Sequence, residues 1–230
     1  MRTQSIDPKI SSVFKSVDQN ASEVLVHNLY HIKTLVGNPD GSVTIAPELS
    51  YFQIKVGQSD DNGIATTYED TNMEVAGQIG SPYKFWGQSI SAFGLPAKDD
   101  ETPAVKTFDK AALQKSFVND AVKLLGRGFV TINVLNQPMF RMAPIMGIPA
   151  GQGVSTASVQ GFDANVGASS VSNGWAIGSN KQPLDLYLED QLNFDFRVAF
   201  PAGVFKLYNT VRLGFRIDGF LIRPRQGGGR

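Results

Sequence analysis

Strict alternation of apolar and polar residues near the C-terminus constrains the fold of this chain more than any other feature. In the segment LNFDFRVAF every second residue is large and apolar: Leu192, Phe194, Phe196, Val198 and Phe200. Successive side chains of a β-strand point to opposite faces, so this segment predicts a strand with one buried face and one face toward water. Burying all five side chains would contribute about 7–15 kcal/mol of gross hydrophobic stabilisation.

A second segment, VRLGFRID, alternates in the same way, with Val211, Leu213, Phe215 and Ile217 on one face. We interpret Asp218-Gly219 as a turn into a short closing strand, which a basic tail, RPRQGGGR, follows. The two alternating segments predict a core that includes the following side chains: Phe194, Phe196, Val198, Leu213, Phe215 and Ile217.

Three further segments have strand character. They are YFQIKVG (51–57), YKFWGQSISAF (83–93) and GFVTINVLN (128–136). Between the first two, SDDNG (59–63) is a turn in which Asn62-Gly63 suits positive φ.

One helix is predicted over residues 107–125. Thr107 is a suitable N-cap, and Leu113, Phe117 and Leu124 lie on one apolar stripe, so we expect them to be buried. Gly126 is the expected residue after the helix.

Residues 1–48 differ from the rest of the chain. Val24, Leu25, Leu29 and Ile32 have helical spacing, and Asp7-Pro8 suits a helix start. We therefore predict a partly helical N-terminal arm over 1–48, a barrel domain over 49–223 and a flexible basic tail over 224–230.

The pattern as a whole predicts an all-β protein: an antiparallel jelly-roll sandwich with an N-terminal arm and one mid-chain helix. Glycine (23 residues) and phenylalanine (15 residues) suit short strands joined by many turns.

Charged residues make up only 18% of a chain with zero net charge. Either neighbouring molecules cover much of the surface, or the surface is rich in neutral polar groups.

Several classes of protein are disfavoured. Cysteine is absent, which excludes disulfides and thiolate metal sites. No apolar run approaches the roughly 20 residues that span a bilayer. The N-terminus lacks the apolar segment of a secretory signal, so we expect synthesis in a cytoplasm.

No catalytic or metal-binding constellation stands out. His27 and His31 have the i, i+4 spacing of helical metal ligands, but no glutamate accompanies them, and we favour an ordinary surface or interface role. The acidic pairs in SDDNG (59–63) and KDDET (98–102) are interpreted as solvated loop charge rather than calcium ligands. The loop GIPAGQG (147–153) lacks the Lys-Ser/Thr of a phosphate loop.

Trp86 and Trp175 are interpreted as core or subunit-contact residues, with ligand stacking as the alternative. We predict no enzymatic activity, no cofactor and no metal.

Charge is distributed unevenly along the chain. Residues 48–101 hold nine acidic residues and three lysines, whereas residues 201–230 hold five arginines and one lysine against Asp218 alone. These stretches either attract one another between copies of the chain or pair within one molecule. For the tail we predict contacts with another subunit, a membrane or nucleic acid through Arg223, Arg225 and Arg230, because arginine attracts phosphate.

Three segments resemble a known family. They are TTYEDTNMEVAGQIGSPYKFWGQSISAFG (66–94), GRGFVTINVLNQPMFRMAPIMGIPAGQG (126–153) and RIDGFLIRPRQ (216–226). Together they are similar to patterns in jelly-roll capsid proteins of tailless icosahedral bacteriophages. The resemblance implies a virion structural protein without catalytic residues. Many of these proteins carry two jelly rolls in one chain, for which this chain is short.

The sequence therefore predicts a self-assembling shell subunit, the major capsid protein of a bacteriophage. Its expected partners are copies of itself, with other virion proteins, an internal membrane or packaged nucleic acid as further candidates. A carbohydrate-binding jelly-roll module, a minor or decoration virion protein, and a β-sandwich glycoside hydrolase with two carboxylates are the alternatives.

Overall fold

The fold is known from a computed structural model, which describes residues 22–38, 40, 45–96, 98, 117–149, 181–200 and 206–224. The described residues include eight β-strands: β1 (Ser22–Leu35), β2 (Glu48–Tyr51), β3 (Lys84–Pro96), β4 (Phe129–Val134), β5 (Gln137–Met142), β6 (Gln182–Leu188), β7 (Phe194–Ala199) and β8 (Val211–Pro224). One α-helix, α1 (Phe117–Arg127), and a 3-10 turn at Ile145–Gly147 accompany them in these ranges.

The strands form two four-stranded antiparallel sheets. The first sheet has the order β1-β8-β3-β6 and the second the order β2-β7-β4-β5. Strand β1 therefore pairs with β8, β2 with β7, β3 with β6 and β4 with β5. Consecutive strands change sheet at every step except the β4–β5 hairpin. The prediction of an all-β antiparallel sandwich is confirmed.

The core lies between the two sheets, as the alternating segments predicted. Phe196 on β7 and Phe215 on β8 meet across the sandwich with ring centroids 4.8 Å apart, and Tyr51 on β2 also packs edge-on against Phe215 at 4.8 Å. Six residues predicted to face inward are all buried: Phe194, Phe196, Val198, Leu213, Phe215 and Ile217. The strand predictions over 83–93 and 128–136 are also confirmed, by β3 and β4.

Helix α1 packs part of its apolar surface into this core. Leu124 and Leu125 are buried in the main cluster, and the buried carboxylate of Asp120 accepts hydrogen bonds from the backbone N–H groups of Tyr208 and Asn209 at 2.9 and 2.8 Å. The second half of the predicted helix is thus confirmed, whereas Thr107, Leu113 and the side chain of Phe117 lie outside what the structure describes. The helix continues one residue past Gly126, to Arg127. No helix in the described ranges is long and apolar enough to cross a membrane.

The helical prediction for Val24–Ile32 is wrong. These residues belong to β1, which pairs with β8 over its whole length, from Ser22 opposite Pro224 to Leu35 opposite Val211. Apolar residues occur on both faces of this strand, so its pattern satisfied helical spacing without a helix. Residues 1–21 of the predicted arm lie outside the described part of the chain.

One predicted turn and one predicted strand also change. The predicted turn at Asp218-Gly219 is absent, because β8 runs through it without interruption. A Cβ at Gly219 would lie 2.0 Å from the carbonyl oxygen of Trp86, so this glycine serves close strand approach instead. The strand predicted over 51–57 is wrong beyond Tyr51: β2 spans Glu48–Tyr51, and Phe52 takes a positive φ of 62°. The turn at Asn62-Gly63 is confirmed, with Gly63 at φ 77°.

Candidate subunit-contact surfaces

The outer face of the first sheet carries large apolar side chains. The strand register aligns four of them in one row across the sheet: Val26, Phe220, Trp86 and Tyr187. Val26 is 88% exposed and Tyr187 is 38% exposed. Apolar side chains grouped on a solvent face mark interaction sites more often than scattered ones do. We call these four residues the outer row.

Trp86 is the least accessible member of the outer row. It is 6% exposed, its ring lies 6.1 Å from that of Phe220, and its Nε1 donates a hydrogen bond to Asp185 at 3.0 Å. A buried tryptophan whose N–H is already used offers no open face for a sugar or base. Trp86 is therefore buried, as a core residue would be, although it lies on the outer face of the sheet, while Trp175 lies outside the described residues.

A charged cluster joins the acidic and basic stretches of the chain. Arg212 is buried, and its Nη2 donates to Asp70 Oδ1 at 3.1 Å. Lys98 Nζ donates to the other oxygen of Asp70 at 2.8 Å. Burial acts to raise the pKa of Asp70, but hydrogen bonds from Lys98 and Thr67 outweigh it and hold that pKa below its ordinary value. At this point the two stretches pair within one molecule.

The C-terminal arginines that the structure describes are also paired. Arg223 donates through Nε to Glu23 at 2.8 Å, which links the end of β8 to the start of β1. Arg216 donates to Asp218 at 2.8 Å. Of the three arginines predicted to contact a partner, Arg223 thus has a carboxylate neighbour in its own chain. Arg225 and Arg230 lie outside the described residues.

The two histidines do not form a metal site. Both lie on β1, where a spacing of four residues separates Cα atoms by about 13 Å, too far for one ion to bind both side chains. The described residues contain no group of three or more metal-ligating side chains. A surface or interface role was predicted for His31, but the structure buries it. His31 is 1% exposed, and its Nδ1 accepts a hydrogen bond from Phe52 N–H at 2.5 Å.

The carboxylates of the acidic turn at 59–63 bind groups of their own chain. Asp60 accepts from the backbone N–H groups of Asn62 and Ile64, both at 2.9 Å, and Asp61 pairs with Lys33 at 2.5 Å. A pocket of about 160 Å³ lies between this turn and the end of β1. That volume is below the roughly 300–1,000 Å³ of small-molecule sites. Both carboxylates of the other acidic pair, in KDDET (98–102), lie outside the described residues, and only Lys98 of that segment is described. The structure describes only Gly147–Pro149 of the glycine loop 147–153.

Models of protein families, curated proteins and solved structures were compared with the chain, and none of the three comparisons found a match. A functional proposal for this chain therefore depends on the geometry of its described residues.

Sequence reasoning missed the outer row and the Arg212–Asp70 pair. Members of the outer row come from four strands, and the paired charges are 142 positions apart. One signal was present in the sequence: Val24-Leu25-Val26 is an uncharged run rich in β-branched residues, which favours a strand.

Proposed function

We propose that this chain is a virion structural protein, the self-assembling major capsid subunit of a bacteriophage, and that its sandwich is a jelly roll. The observation that carries the proposal is the strand order. Pairing of β1 with β8, β2 with β7, β3 with β6 and β4 with β5 follows when a long antiparallel hairpin folds over on itself. An eight-stranded, double-sheet jelly roll has this organisation, and the fold is used by viral capsids.

Fold alone does not establish function, so the surface supplies the second argument. A shell subunit needs faces that associate with neighbours, and two members of the outer row, Val26 and Tyr187, are exposed apolar side chains on one sheet. Around it lie charges of both signs, including Arg216 with Asp218 and Lys84 with Glu189. Such a mixed face suits contact with another copy of a chain whose net charge is zero.

The competing functions gain less support from the described residues. A carbohydrate-binding module would need an open aromatic platform, and Trp86 is buried and hydrogen-bonded to Asp185. For a hydrolase, the turn carboxylates Asp60 and Asp61 are engaged by backbone N–H groups and by Lys33. A decoration protein of the virion is compatible with the same surfaces.

Electron microscopy and sedimentation of the purified protein test this proposal. We expect regular particles, or oligomers of defined size, whose amount rises with protein concentration. A glycan array is run in parallel. A protein that stays monomeric at high concentration and binds a glycan would contradict the proposed function and support the carbohydrate-binding alternative.

The residues after β8 belong to the same proposal. Arg225 and Arg230 would contact a neighbouring subunit, an internal membrane or packaged nucleic acid. Few arginines act in each copy, but many copies in a shell act together. Virion location and synthesis in a host cytoplasm are parts of the same proposal.

A further inference from the structure

Strand β1 forms one edge of the first sheet, and its even-numbered residues turn their backbone groups toward that edge. Ile32 N–H donates to the carbonyl oxygen of Asp70 at 2.6 Å, and the carbonyl oxygen of Tyr30 accepts from Asn72 N–H at 3.4 Å. The side-chain amide of Asn72 also donates to the carbonyl oxygen of Asn28, at 2.6 Å. Residues 70–72 thus cover the second half of this edge as a short antiparallel segment.

No described residue covers the first half of the same edge. Backbone direction alternates along a strand, so the N–H and C=O groups of Val24 and Val26 point to the edge as those of Asn28 and Tyr30 do. Within the described ranges neither residue has a hydrogen-bond partner on that side. Val26 is also the most exposed large apolar residue among those described, at 88%.

The other three edge strands carry features that discourage pairing. Strand β2 has four residues, β5 contains Pro138, and β6 contains Pro183 with Asp185 nearby. Short edge strands, prolines and charges are the usual protections against edge-to-edge association. The run Val24-Leu25-Val26 has none of them, and the nearby Glu23 is neutralised by Arg223 at 2.8 Å.

We propose that residues 23–27 of β1 pair antiparallel with the same residues of a second copy of this chain. The segment is self-complementary about a two-fold axis at Leu25, which places Val24 opposite Val26 and Glu23 opposite His27. In that register Val24 and Val26 exchange both of their edge hydrogen bonds with the second copy. The contact joins two four-stranded sheets into one of eight strands.

This inference rests on the proposed self-assembly, for which it names one contact. A second copy fits the edge better than an unrelated partner because the same short segment supplies both sides of the pair. A chain of zero net charge also has no long-range repulsion between copies.

A proline at position 26 tests the contact. Val26→Pro removes the edge-facing N–H but none of the hydrogen bonds to β8, because prolines are tolerated where an edge N–H faces outward. Val26→Thr is the matched control, since it keeps the N–H and the β-branched shape. By sedimentation velocity we expect a dimer whose dissociation constant rises at least about tenfold in Val26→Pro and stays near the original value in Val26→Thr.

Hydrogen exchange of the unmodified protein gives a measurement that does not depend on a variant folding. The amides of Val24 and Val26 should become protected as protein concentration rises, while the amide of Ile32 is protected at all concentrations by Asp70. Free exchange at Val24 and Val26 in a concentrated sample would overturn the inference, as would unaltered dimerisation of folded Val26→Pro.

The two proposals fail in different ways. Regular particles that form equally well with Val26→Pro would leave the shell function standing and remove this contact. A dimer that is lost in Val26→Pro, with no larger assembly under any condition, would support the contact and contradict the shell function.

Discussion

The imidazole of His31 holds the backbone of Phe52 in place: Nδ1 accepts the Phe52 N–H at 2.5 Å. Phe52 is fully buried and has a φ of 62°, a conformation that bulky residues rarely adopt. The rings of His31 and Phe52 also pack edge-on, with centroids 5.8 Å apart. A core histidine thus fixes the turn at which β2 ends.

This contact predicts a loss of stability in mild acid. Burial, reinforced by the nearby charge of Lys33, lowers the pKa of His31 to about 4 from its ordinary 6.5. Between those values the unfolded chain binds a proton that the folded protein does not. The free energy of unfolding should therefore fall as pH drops from about 6.5 to about 4, by up to about 3–4 kcal/mol, with no further loss from His31 below that range.

Urea unfolding between about pH 7.5 and pH 3.5 measures this effect. His31→Gln removes the titrating group while keeping an acceptor for Phe52 N–H, and it should flatten the dependence in this window. His27→Gln is the comparison variant: burial lowers the pKa of His27 as well, but His27 is only half-buried, so its replacement should flatten the dependence less. A slope that survives in His31→Gln and disappears in His27→Gln would contradict the assignment. Asp70, whose pKa lies below its ordinary 3.8, should act at lower pH.

The close approach of β8 to β3 predicts that Gly219 cannot be replaced. A Cβ at Gly219 would lie 2.0 Å from Trp86 O, which is backbone and has little freedom to move. Gly219→Ala should lower the free energy of unfolding by at least about 2 kcal/mol. Gly126→Ala is the control: nothing lies within 4 Å of its Cβ, and alanine in helix α1 should stabilise by about 1 kcal/mol. Equal effects of the two changes in urea unfolding would refute this interpretation.

The Asp120 carboxylate predicts a large stability effect at a charged residue. It accepts from Tyr208 N–H, Asn209 N–H and the Asn209 side chain, and it pairs with Lys123 at 2.9 Å. Asp120→Ala leaves these partly buried donors without their buried acceptor, so we expect a loss of about 3–5 kcal/mol. Asp195→Ala, which removes the partly exposed partner of Arg197, should cost less than about 1 kcal/mol. Chemical denaturation of both variants measures the two losses in free energy of unfolding. A much larger loss in Asp120→Ala would show that burial of the carboxylate, more than its charge, sets the size of the effect.

Removal of residues 225–230 tests whether the tail acts in assembly and not in the stability of the monomer. Strand β8 ends at Pro224 and Arg223 keeps its bond to Glu23, so the monomer should unfold at nearly the same urea concentration. At low salt, the shortened protein should assemble, or bind anionic vesicles or nucleic acid, more weakly than the full-length chain does. The difference from the full-length chain should shrink as salt screens the lost ionic contacts. If full-length and shortened protein behave alike at all salt concentrations, the tail has no role in assembly.

Alternation was sufficient to predict the core strands. Phe194, Phe196 and Val198 are buried because a two-residue period places them on one face of β7, whatever the partner strand. The same local rule identified β3, β4 and the first half of β8. It failed for β1, where Val24 and Val26 are apolar on the outer face as well as Leu25 and Leu29 on the inner one. A pattern that is apolar on both faces does not distinguish a strand from a helix.

Local sequence thus specified the class of fold, the buried face of most strands and the second half of the helix, because these depend on neighbours along the chain. The strand order, the continuation of β8 through Gly219 and the burial of His31 were established only by the folded arrangement. So were the meeting of Arg212 with Asp70 and the state of the β1 edge, which residues 70–72 cover at Ile32 and which no described residue covers at Val26. Each of these depends on groups far apart in sequence, which come together only when the two sheets close over one core.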